Sequence, residues 1–80
     1  MTKGLNVEVK IGVQHVAREI VLESEESPDA LAQTVSKAMA GGGVLSLTDD
    51  KGRVVIVRVE TLGYVDIGPA RRSGVGFGSL

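Results

Sequence analysis

Arg71-Arg72-Ser73-Gly74-Val75-Gly76-Phe77-Gly78 is the stretch whose residue types come closest to ligand chemistry. Alternating glycines let backbone amides converge on a phosphate, and two arginines beside a phenylalanine suit a nucleic-acid strand, cation to phosphate and ring to base. Neither reading is well supported by the sequence around it. A phosphate loop opens a helix and sends a lysine to the ligand, and no helix or Gly-Lys-Ser/Thr follows Gly78. Two cations and one ring leave a thin electrostatic footprint. Gly41-Gly42-Gly43 has the arrangement opposite to a phosphate loop, since it follows a helical pattern and leads into a strand pattern; it reads as helix termination. His15 is the single histidine and no cysteine is present, so an all-histidine metal site, a paired-histidine acid/base device and thiolate chemistry within one subunit are excluded. Glu23, Glu25, Glu26 and Asp29 lack the alternating oxygen ligands and turn glycine of a calcium loop. Asp49 and Asp50 read as turn residues, and no serine has an assignable base. The sequence points away from an enzyme, with no cofactor and no metal.

The elements that would position these residues follow from patterning. Val7, Val9, Ile11 and Val13 alternate with Asn6, Glu8, Lys10 and Gly12, the mark of a half-buried strand. After the polar break Gln14-His15, residues 18–24 form a second strand, close enough for an antiparallel hairpin. In "ESPDALAQTVSKAMAGGG", Ser27 is a helix N-cap, Pro28 suits the first helical position and Asp29 complements the dipole. Leu31, Val35, Ala38 and Met39 form the apolar stripe expected to meet the core. Residues 44–48 and 53–59 flank the turn Asp49-Asp50-Lys51-Gly52. The second of these is apolar on both faces, as an interior strand would be. Thr61-Leu62-Gly63 turns the chain into a last strand at 64–67, stopped by Gly68-Pro69.

The expected fold is α+β in the order β-β-α-β-β-β, with one helix on a single mixed or antiparallel sheet. Residues 1–69 form the domain, and residues 70–80 a flexible Gly/Arg tail that orders only on a partner, because fixing its glycines costs more backbone entropy than burying Phe77 returns. Nine basic against ten acidic residues give a net charge of −1, so no global field draws the chain to nucleic acid or anionic lipid. No apolar run long enough to cross a membrane occurs. The expectation is a soluble, cytoplasmic protein.

Two resemblances add to this reading. "VEVKIG" followed by "REIVLESEESPDALAQTVSKAM" is similar to the first strand, second strand and capped helix of the ubiquitin-type β-grasp. That resemblance implies a last strand parallel to the first at the sheet centre. The segments "VEVKIGV", "REIVLES", "GVLSLTDDKGR", "YVDIGP" and "VGFG" resemble an uncharacterised family of small actinobacterial proteins, a domain of unknown function whose members sometimes carry an ATP-binding label. It implies no catalytic residues.

Function is therefore sought on the surface. Val54, Ile56 and Val21 point away from the register of Val55, Val57, Ile20 and Leu22, leaving an apolar sheet face uncovered. The expected activity is a non-enzymatic binding module or adaptor for a protein partner, acting through Val54, Ile56, Arg71, Arg72 and Phe77. A weak homodimer through unpaired strand edges and the spare apolar face is a second expectation. The alternative is a nucleotide or nucleic acid held by the glycine-rich tail.

Overall fold

The computed structural model describes residues 5–72. Strands β1 (Leu5–Val13) and β2 (Ile20–Ser24) form an antiparallel hairpin, followed by helix α1 (Pro28–Gly41). A second antiparallel hairpin, β3 (Val44–Thr48) and β4 (Val54–Arg58), leads through a 3-10 turn (Val59–Thr61) to β5 (Leu62–Arg72). The architecture is α+β in the order β-β-α-β-β-β, a β-grasp-like arrangement of one helix against antiparallel sheets.

The local signals act as expected. The Ser27 hydroxyl accepts from the Ala30 N–H at 3.1 Å, satisfying a donor that the first helical turn leaves unpaired. At the other end Gly42 takes φ 74° and its N–H donates to the Ala38 carbonyl at 2.9 Å, a left-handed cap that a Cβ would strain. Asp49 Oδ1 accepts from the amides of Lys51 (2.9 Å) and Arg53 (2.7 Å), fixing the β3–β4 turn. The core gathers Val7, Val9 and Ile11 of β1, Leu22 of β2, Leu31 and Val35 of α1, Leu45 and Leu47 of β3, Val57 of β4 and Leu62 of β5. The buried Ser24 hydroxyl accepts from the Glu26 amide at 3.0 Å.

Several expectations are corrected. The strands form two sheets, β2-β1-β5 and β3-β4, rather than one. Both edges of β1 are taken, by β2 and β5, and the turn of the second hairpin is joined to β2 by a backbone hydrogen bond, the Asp50 N–H donating to the Glu23 carbonyl at 2.8 Å. β4 is consequently not an interior strand; among the described residues it pairs with β3 alone. β5 runs antiparallel to β1, not parallel. The 3-10 turn delivers the chain to the far end of β1, where the Gln14 N–H donates to the Thr61 carbonyl at 2.8 Å, so β5 must run back. Nor does Gly68-Pro69 stop this strand. Val7 pairs with Ala70 and Val9 with Ile67, so Gly68 and Pro69 together oppose Glu8 in a bulge, which accommodates a residue without an N–H, and pairing resumes to Arg72. Residues 70–72 thus belong to the sheet, while the expected mobile segment from residue 73 onward lies outside the described residues. Met39 is 46% exposed. At 3.6 residues per turn it sits about 80° round the helix from Leu31, at the margin of the stripe that Leu31, Val35 and Ala38 centre.

Candidate functional site

Among the described residues the β3–β4 hairpin has one buried face and one bare one. Its register pairs Leu45 with Val57 and Leu47 with Val55, and these side chains turn to the core. The intervening pairs, Val44 with Arg58, Ser46 with Ile56 and Thr48 with Val54, turn outward. Val44, Val54 and Ile56 are 52%, 53% and 62% exposed, and all six outward residues are exposed. Val54 and Ile56, singled out from sequence, therefore share one surface, and Val44 joins them. That strand-start valine was missed because cross-strand register is not readable from one strand's alternation. Val21 is exposed too, but on the other sheet, opposite Lys10.

A cleft of about 430 Å³ adjoins this face at the end away from the Asp49 turn, lined by Gly42, Gly43, Val44, Arg58, Val59 and Glu60. Arg58 is not available as a free cation there, since its guanidinium donates to Glu60 at 2.6 Å.

At the turn end lies a polar latch. The Asn6 amide donates to Asp50 Oδ2 (3.1 Å) and to Glu23 Oε1 (3.4 Å), and Arg71 pairs with Glu23 at 3.2 Å. Arg71 is therefore brought into one network with the hairpin turn rather than projecting from a tail. Arg72 is the last residue of β5, and Phe77 lies outside the described residues.

A second feature escaped the sequence reading. Tyr64 stands opposite Gly12 across β1 and β5, and a Cβ built on Gly12 would lie only 2.2 Å from Cε2 of the Tyr64 ring, a hard clash. The ring lies across the bare backbone of the glycine, and its hydroxyl donates to the Glu19 carboxylate. That hydrogen bond, with partial desolvation and the negative charges of Glu19 and Asp66, raises the phenol above its ordinary pKa. A glycine in an otherwise clean alternation was the available signal. His15 sits in the exposed turn between β1 and β2 with φ 64°. Among the described residues no three histidine, aspartate or glutamate side chains are grouped to hold a metal ion. No described helix is long and apolar enough to cross a membrane.

The architecture defines a small α+β domain whose most distinctive surface is an uncovered hairpin face. A family model for a protein of unknown function, DUF3107, matches residues 7–78, and the chain belongs to that family. Among curated proteins none matches the chain.

Proposed function

We propose that this protein is a cytoplasmic, non-enzymatic binding module that presents the outer face of the β3–β4 hairpin to a protein partner. The observation that carries the reading is the clustering of Val44, Val54 and Ile56 on one exposed face of a two-stranded sheet. Aliphatic β-branched side chains grouped in this way gain free energy when a partner removes them from water. The actinobacterial setting implied by the sequence resemblance supplies the proteins among which a partner is sought.

The test is affinity capture of host proteins on the immobilised chain, comparing wild type with the Val54→Asp/Ile56→Asp double variant. The substitutions fall on the outward face and leave Leu45, Leu47 and Val57 in place. Capture of the specific partner falls about tenfold or more, as loss of a central apolar contact does. Equal capture by a folded double variant refutes the reading. Amide shifts on titrating the chain with micromolar ATP, without any effect of the double variant, would replace it with nucleotide binding.

A further inference from the structure

The register of the β3–β4 hairpin determines which backbone groups face away from it. The Asp49 N–H donates to the Arg53 carbonyl and the Val59 N–H to the Gly43 carbonyl, both at 2.8 Å, so the odd-numbered residues exchange the hydrogen bonds between these strands. Val54, Ile56 and Arg58 therefore direct their N–H and C=O groups to the opposite edge of β4. Among the described residues those amides find no acceptor, and the carbonyls of Val54 and Ile56 find no donor. The Arg58 carbonyl accepts only from the Thr61 hydroxyl, at 2.8 Å, and keeps a second lone pair. Helix α1 packs beside β3, which leaves β4 as the open flank of the hairpin.

An open edge is a template for another strand, and proteins blunt it with lysine, proline or a bulge. β5 carries Gly68-Pro69 in a bulge, whereas β4 has none of these devices and its register with β3 runs unbroken from Val54 to Arg58. Donors and acceptors repeating at every second residue match an extended backbone, not a helix, whose amides are satisfied internally. β4 is itself such a backbone, and its open groups are symmetric about Ile56. Laid antiparallel on a second copy, Ile56 meets Ile56 of that copy and Val54 meets its Arg58, which pairs every open donor and acceptor on both edges. No like charges oppose each other in this register, since Arg58 faces a valine and is already paired with its own Glu60 at 2.6 Å. The outward side chains stay on one side, so Val44, Val54 and Ile56 of both copies share one face of a sheet in the order β3-β4-β4-β3.

We propose that two copies of the chain join antiparallel along β4, centred on Ile56, and so build a continuous sheet whose doubled apolar face is the one presented to a partner. The role given to that face rests on the docking reading above; the pairing and its test do not. A single short strand edge falls below the roughly 1,200 Å² of a standard interface, so the dissociation constant is expected on the order of 100 µM. Arg58 has φ −70° and ψ 129°, backbone that proline adopts, and its N–H is not used within the hairpin. Arg58→Pro thus removes an edge donor and puts a ring where the second strand must approach, while Val44, Val54 and Ile56 stay in place. Arg58→Ala loses the same charge and keeps the N–H. In the full-length wild type, the average mass by sedimentation equilibrium rises toward that of a dimer between about 20 µM and about 1 mM, and amide exchange at Val54, Ile56 and Arg58 slows over the same range. Arg58→Pro weakens the association about tenfold or more, and Arg58→Ala leaves it within about twofold. A wild type that stays monomeric overturns the proposal, whether or not Arg58→Pro folds. So does association without slowed exchange at those amides, which is packing through another surface, and so do equal affinities for the two variants. Exchange already slow at the lowest concentration overturns it as well, because the edge is then covered within one chain. If the chain stays monomeric while Val54→Asp/Ile56→Asp still loses capture, the docking role stands on a single hairpin. If the chain pairs while capture is unaffected by that double variant, the pairing stands and the docking role falls.

Discussion

Tyr64 owes its position to what Gly12 lacks. With no Cβ beneath it, the ring lies over β1, and its hydroxyl reaches Glu19 in the segment that joins β1 to β2. Glu19 stabilises the protonated phenol, so Glu19→Gln should lower the Tyr64 pKa toward its ordinary value. Gly12→Ala should do the same by pushing the ring aside. Tyr64 is the only tyrosine and tryptophan is absent, so tyrosinate absorbance against pH reads this one group; an unchanged titration in both variants would refute the contact. In the wild type the folded-state pKa is raised, so this contribution is complete below the ordinary tyrosine value and is lost as pH rises through the folded one. Asp49 has the opposite sign. Desolvation opposes its ionisation, but the Arg53 and Lys51 amides and the positive charges of those side chains outweigh it and hold the carboxyl below its ordinary pKa. Its contribution is complete above about pH 4 and fades as pH falls through the folded value. Thermal unfolding of wild type against Asp49→Asn should therefore differ at neutral pH and converge in acid. A gap that is constant with pH would show that the charge is irrelevant.

Helix α1 is held by two buried residues, Leu31 and Val35, with Ala38 partly buried between the helix and the sheets. Leu31→Ala should cost about 2–4 kcal/mol, lost transfer energy plus the cavity left behind. Met39→Ala should cost less than about 0.5 kcal/mol, because the side chain is largely in water. Equal losses in urea denaturation would mean that the helix is rotated from the orientation described. This element was legible in the sequence because its signals are local: a hydroxyl cap, a proline at the first turn, glycine at the end. The strands were legible in part. Alternation identifies β1, but Val54 and Ile56 read equally well as the second face of an interior strand or as an exposed face. Apolar residues on both sides of a strand do not state what lies beyond them. Gly68-Pro69 misled for a related reason: as a dipeptide it signals a stop, whereas opposite Glu8 it is a bulge that only the partner strand reveals.

At the scale of the molecule, the core closes without the outward hairpin face. Replacing Val44, Val54 and Ile56 together by threonine, which keeps the β-branched shape, should change stability by less than about 1 kcal/mol. A larger loss by denaturant titration would place those residues in the core. The partition into two sheets and the direction of β5 were not legible, because pairing between residues some sixty positions apart depends on where the 3-10 turn delivers the chain rather than on any local pattern. That direction has a mechanical consequence. Because β5 returns along β1, Leu5 and Arg72 lie side by side at the same end of the ladder. A force applied between those two points would load the β1–β5 hydrogen bonds singly and in sequence, like a zipper. Parallel terminal strands pulled from opposite ends would instead share the load across the whole ladder. The fold should therefore yield at low tension when drawn out from its ends, as a protease motor or a translocating pore would draw it.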